Sequence, residues 1–151
     1  TKLLILTMAL LACLASMAMA GPSYDAAAVA RIHSGIVDCP ACNLRGADLT
    51  NTCVKAKNLM AANFDGAKAV LMCMSFANFT NATFRGTDLS GANLAHARLD
   101  GADMTGAILS ITSLKGTDLT NVKGLTQTQL NQACGDDQTK VASGLKVHTC
   151  T

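Results

Sequence analysis

The residues best able to do chemistry are seven cysteines and three histidines in a chain of 151 residues. Cys39 and Cys42, separated by Pro40 and Ala41, have the spacing of a thiol oxidoreductase pair. A redox dithiol needs its first thiol at a helix N-terminus that lowers the pKa, usually beside a βαβ unit. A zinc site would need a second pair nearby, and none follows at suitable spacing. The other role for this pair is a structural bridge, which asks for neither. His33 and His148 have no acidic or thiol neighbour that the sequence can place. With no Ser-His-Asp arrangement, paired carboxylate pocket or phosphate loop, the sequence offers no catalytic residue, no cofactor site and no metal site.

The composition bounds what could position these groups. A formal charge of +2 argues against a nucleic-acid binder and against a strongly basic membrane-surface protein. Aromatic residues make up 3% of the chain while half of it is apolar, which suits a narrow repetitive core better than a broad one. Residues 1–20 read as a signal peptide: Lys2 is the basic start, Leu3 to Leu14 the apolar run, and Ala18-Met19-Ala20 the cleavage pattern. Export to a bacterial periplasm or exterior follows. Alternatively, Leu10-Leu11-Ala12-Cys13 is a lipobox that anchors the protein to a membrane through acylated Cys13. The six cysteines left after leader removal imply an oxidising compartment and disulfides.

The element that must hold these groups is a repeat. From Cys42 to Asn121 the chain divides into sixteen units of five residues with no insertion. The central position is large and apolar in all but one, from Leu44 to Leu119; Ala69 is the exception. Two positions earlier stands Ala, Thr or Cys, except at Lys57 and Met72. The residue before the centre is often Asp or Asn, and Gly or Asn often closes the unit. On a helix five residues advance about 500°, which would smear the leucines around the surface. On a flat strand an odd period would alternate faces. Only a chain that turns a corner once per unit keeps every centre inside, so four units close a square of twenty residues. Asp or Asn then bonds the tight turns. Paired Ala69 and Met72 read as volume compensation within one layer.

This pattern resembles the pentapeptide-repeat family, with its A-[DN]-L-x-x units. The resemblance implies an all-β fold, a right-handed quadrilateral parallel β-helix of about four coils, here with short helical caps at both ends. The expected organisation is 1–20 signal peptide, 21–41 N-terminal cap with a short helix, 42–121 β-helix, and 122–151 C-terminal helical cap with a disulfide tail. Ser23 to Gly35 reads as a helix with Ser23 as N-cap and Ala26, Val29 and Ile32 on one side. Thr126 to Gln129 is a capping box opening a helix that ends at Cys134-Gly135. Gly124 to Gly135 is also similar to the tail that follows the repeats in exported bacterial members.

Stacking by twenties puts Cys53 directly beneath Cys73 on the outside, about 5 Å apart. Cys39 and Cys42 lie at one end and Cys134 and Cys150 at the other, so the expected bridges are Cys39-Cys42, Cys53-Cys73 and Cys134-Cys150. His96 falls near a corner beyond the cysteine column, outside hydrogen-bond reach of it. Lys57 breaks the inward rule; its stem is expected to be buried with the amine reaching out under the N-terminal cap. Val70, Leu71, Ile108 and Ile111 project from one side as a candidate interaction patch.

The function expected from these residues is a non-enzymatic exported structural or protein-interaction module. Its partner would be an unknown protein or a second copy meeting one solenoid side, with no nucleic acid, and no membrane unless Cys13 is lipidated. Two alternatives stand beside it. Some family members mimic DNA and bind gyrase, a role disfavoured here by the near-neutral charge and the leader. The other is a periplasmic thiol redox or metal-handling protein acting through Cys39 and Cys42.

Overall fold

The computed structural model describes residues 23–35 and 38–151; the expected leader, its cleavage site and Cys13 lie outside the described residues. From Asp38 onward the chain winds as a parallel β-helix. Its ladder consists of single-residue parallel bridges twenty residues apart: Asn43 with Asn63, Asp48 with Lys68, Cys53 with Cys73, Asn58 with Asn78, and so on upward. Each side contributes one bridged residue per coil, with a turn before and after it. Longer elements are few: α1 Ala26–His33, α2 Gln127–Leu130, β1 Cys134–Gly135 and β2 His148–Thr149.

The four sides can be named by their outward columns. Side one carries Asn43, Asn63, Thr83 and Asp103; side two carries Asp48, Lys68, Asp88 and Ile108. Side three carries Cys53, Cys73, Asn93 and Ser113, and side four carries Asn58, Asn78, Arg98 and Asp118. Inside, the unit centres Leu44 through Leu119 are all fully or almost fully buried. Phe64 stacks on Phe84 with ring centroids 4.8 Å apart, and Phe79 meets both edge-on. Ala69 and Met72 are both wholly buried. Inward threonines satisfy their hydroxyls on backbone, as Thr87 does on the Phe64 carbonyl and Thr112 on that of Leu89.

Each corner is a β-turn closed by a bond such as Ala47 N–H to the Leu44 carbonyl, 3.1 Å. The Asp or Asn before the centre accepts from the backbone N–H two residues on, as at Asn43, Asp48, Asn58, Asn78, Asp88 and Asp118. That is why short carboxylate and amide side chains recur there. The closing residue of every unit, from Ala41 to Gly116, has φ between 55° and 71°. A single positive φ at the third turn residue is the sign pattern of a type II turn.

The register begins one unit before Cys42. Cys39 N–H bonds the Asn58 carbonyl and Ala41 N–H that of Met60, each at 2.8 Å, so Cys39 holds a centre position. Cys39-Pro40-Ala41-Cys42 is therefore a corner, with proline second and Ala41 at φ 57° third. Below it lies α1, which turns Ala28 and Ile32 into the open coil. Its N-cap is Asp25, not Ser23: the Asp25 carboxylate takes the N–H groups of Ala27 and Ala28. Ser23 instead ties the segment to the first coil by donating to the Arg45 carbonyl. Ala26 is exposed and Val29 half-buried, so Ala28 replaces Ala26 in the packed set.

At the other end the Thr126–Gln129 capping box is present, but α2 has only four residues. Cys134-Gly135 is a strand instead, because Cys134 continues the side-three column above Ser113. The bridge offset grows from twenty at Asp103–Lys123 to 21 at Ser113–Cys134 and 22 at Asp118–Lys140. The terminal segment is thus a loosened further turn of the winding rather than a separate helix. No helix among the described residues is long and apolar enough to cross a membrane.

Candidate functional site

The sixteen closing residues stack into four corner columns. The corner between sides one and two is Gly46, Gly66, Gly86 and Gly106; a left-handed φ costs glycine nothing. The corner between sides two and three is Asn51, Leu71, Gly91 and Ile111. Between sides three and four come Ala56, Phe76, His96 and Gly116, and the remaining corner is Ala41, Ala61, Asn81 and Gly101. The bulky residues at positive φ are therefore confined to the two corners that flank side three.

Those side chains lie along the solenoid wall. Leu71 reaches over Gly91, where an added Cβ would sit 2.6 Å from its Cδ2. Phe76 stacks on His96, 4.9 Å between centroids, and His96 covers Gly116. Lys55 Nζ stands 5.9 Å from the centre of the Phe76 ring. Leu71, Phe76 and Ile111 are 58%, 56% and 83% exposed. Ile111 also lines a groove of about 210 Å³ with Gln132, Cys134, His148 and Cys150.

The candidate patch changes in two respects. Val70 is half-buried, since its turn position lies against the wall, and Ile108 projects from side two, across the corner from Ile111. Leu71 and Ile111 remain together, joined through Gly91. The sequence reading missed Phe76, although it closes the unit MCMSF at the position that singled out Leu71 and Ile111.

The cysteines are brought together in three pairs: Cys39 with Cys42, Cys53 with Cys73, and Cys134 with Cys150, at Cα separations of 5.5, 4.4 and 4.8 Å. All three lie in the disulfide range. Cys39 and Cys42 are buried in the first corner, with no helix N-terminus at either sulfur. Lys57 is half-buried. His33 meets backbone rather than an acid: its Nε2 lies 3.1 Å from the main-chain carbonyl oxygen of Asp48, a contact the chain pattern did not reveal. Among the described residues no group of three or more His, Cys, Asp or Glu could hold a metal ion.

The strongest electrostatic feature is on side one. Asp103 accepts from the Thr105 hydroxyl and N–H and from Arg85 Nε at 2.7 Å. The Thr105 bonds, aided by Arg85, hold its carboxyl down to about 2. Thr120 lowers Asp118 in the same way. A second cleft of about 290 Å³ opens on side four, lined by His96, Arg98, Asp100 and Asp118, where Asn121 donates to Asp100 at 2.8 Å.

Comparison with known proteins matches this geometry. The sequence model for pentapeptide repeats finds eight copies over residues 42–70 and 73–110. Its gap falls at Leu71 and Met72, the corner leucine and the enlarged inward residue. No curated protein matches the chain in sequence. Among solved structures, the chain is similar to HetL, a pentapeptide repeat protein involved in heterocyst differentiation regulation from the cyanobacterium Nostoc. That match has 23% identity and a TM-score of 0.56, covering 66% of this chain and 49% of the other. A pentapeptide repeat protein of the Arabidopsis thaliana thylakoid lumen matches at 24% identity and a TM-score of 0.49, over 65% of this chain and 60% of that one. The chain thus spans about half the length of the first of these and less than two thirds of the second. Through its repeat matches, its twenty-residue ladder and its fifth-residue corners, the chain belongs to the pentapeptide-repeat family.

Proposed function

We propose that the chain is an exported, non-enzymatic interaction module whose rigid solenoid presents one side to a protein partner. Proteins of this family are generally structural or interaction proteins without enzymatic activity. The observation that carries the reading is a contrast within one body. The axis is filled by buried side chains throughout, leaving no room for a substrate, while Leu71 and Ile111 stand exposed on fixed backbone.

The finer architecture belongs to the same proposal: about four coils over residues 42–121, closed by the segments 21–41 and 122–151. Export is supported by Lys2, the Leu3–Leu14 run and Ala18-Met19-Ala20, with anchoring at Cys13 as the alternative. An oxidising destination supports disulfides at Cys39-Cys42, Cys53-Cys73 and Cys134-Cys150, whose partners already stand at bonding separation. Non-reducing peptide maps should recover these three bridges; a Cys42–Cys53 or Cys73–Cys134 peptide contradicts the pairing.

The test of the function is cross-linking and solution mass of the exported protein beside a Leu71→Lys/Ile111→Lys variant. A heavier complex that the variant loses is expected. A wild-type monomer without cross-linked partner, unchanged by the substitutions, removes the reading.

A further inference from the structure

Side three and its two corners differ from the rest of the solenoid in charge as well as in shape. The repeat's carboxylates all lie elsewhere: Asp103 on side one, Asp48 and Asp88 on side two, Asp118 on side four, and Asp65 and Asp100 at the other corners. Along side three, from Thr50 to Gly116, the outward charges are Lys55 and Lys115, both exposed. The first carboxylate met on going up the Phe76–His96 corner is Asp136, above Gly116, and its Oδ1 accepts the Gly116 N–H at 2.9 Å. On this same surface stand the exposed Leu71, Phe76 and Ile111.

Backbone geometry adds an independent reason to treat these side chains as selected for contact. Leucine, phenylalanine and isoleucine occupy left-handed positions that seven of the sixteen corners fill with glycine. A β-branched residue there is an outlier, and such outliers persist at working surfaces. The wall itself has its N–H and C=O groups committed to the coils above and below. A partner must therefore be recognised through side chains rather than by strand addition.

We propose that side three docks an acidic, amphipathic polypeptide segment, whose apolar residues cover Leu71, Phe76 and Ile111 and whose carboxylates meet Lys55 and Lys115. A second copy of this chain fits poorly, since an isologous contact through this side would set lysines against lysines. The proposal rests on the interaction-module reading and names the partner's chemistry.

A displayed library of random peptides, selected on the full chain and on a Leu71→Gly/Phe76→Gly/Ile111→Gly variant, tests it. Glycine suits all three corners, so the variant keeps the backbone, and its thermal melt verifies the fold. The expected result is enrichment of net-acidic peptides bearing spaced apolar residues, binding at least tenfold more weakly to the variant and more weakly in high salt. No enrichment, enrichment of neutral or basic peptides, or equal binding to the variant overturns the assignment. So does preferential binding of phosphatidylglycerol vesicles over any peptide, which would give the side to a membrane surface. If these arms fail while cross-linking still captures a partner, the module reading stands and only the partner's chemistry is wrong.

Discussion

Ile111 combines a left-handed backbone, φ 56°, with a β-branched side chain that is 83% exposed. The conformation costs a non-glycine residue about 1–2 kcal/mol, while glycine loses about 0.4–1 kcal/mol through the freedom of its unfolded chain. Little packing is lost with so exposed a side chain, and the Ile111 N–H bond to the Gln132 carbonyl is available to any residue. Ile111→Gly should therefore raise stability by about 0.5–1 kcal/mol in denaturant melts, and Gly106→Ile should lower it by a similar amount. A destabilised Ile111→Gly would show that the side chain packs more than its exposure implies. Asp103 makes a second residue-scale test. Its folded pKa, about 2, lies below the ordinary 3.8, so its contribution is present at neutral pH and disappears as pH falls from about 4 through 2. By linkage this is about 2 kcal/mol. Asp103→Asn keeps an oxygen for the Thr105 turn but removes the titration. Its stability should fall less steeply across that window than the wild type's; parallel curves would assign the acid sensitivity elsewhere.

At the scale of elements, the irregular turn above the repeats depends on Gln129. Its Oε1 accepts from the Thr126 N–H, closing the capping box, and its Nε2 donates to the carbonyls of Met104 and Ala107, each at 2.9 Å. One side chain thus caps the start of α2 and ties the helix to the coil beneath. Gln129→Ala should cost about 1–2 kcal/mol, with hydrogen-exchange protection lost in α2 and around Ala107–Ile111 but kept near Leu49. A uniform loss over all coils would mean that this turn is not a separate unit. The sequence showed the capping box because its two residues are local. It did not show that α2 stops after four residues. That outcome depends on Cys134 N–H reaching the Thr112 carbonyl, a bond across 22 residues. The N-terminal boundary was hidden for a related reason: a cysteine at the centre position, Cys39, does not look like a leucine. Asp25 and Ser23 are both good N-caps, and only the placement of the first coil decides between them.

For the whole molecule, the five-residue period was enough to specify the winding, because a centre that must stay inside every fifth residue has one simple geometric solution. The candidate side was only half legible. Leu71 and Ile111 stood out as apolar residues at closing positions, whereas Phe76 was absorbed into an apolar run and the separation of carboxylates from side three needs all four columns at once. The winding also makes the ends its weak points. A solenoid's coils contact only their neighbours, so a bare last coil exposes both its apolar axis and its unpaired backbone groups. Here the segment after Asn121 closes that end. Leu130 and Ala133 are buried over it, and Cys134 and Lys140 take up the ladder positions above Ser113 and Asp118. A chain ending at Asn121 would leave the Ile111, Leu114 and Leu119 N–H groups without their partners Gln132, Cys134 and Lys140. Two such ends can satisfy each other, so the shortened protein should associate end to end, in proportion to concentration, in sedimentation velocity. α1 still covers the opposite end, with Ala28 and Ile32 buried there, so association should stop at dimers instead of growing into filaments. A monomer with an unchanged melt would show that the regular coils need no cover. Filaments would show that α1 does not hold its end closed.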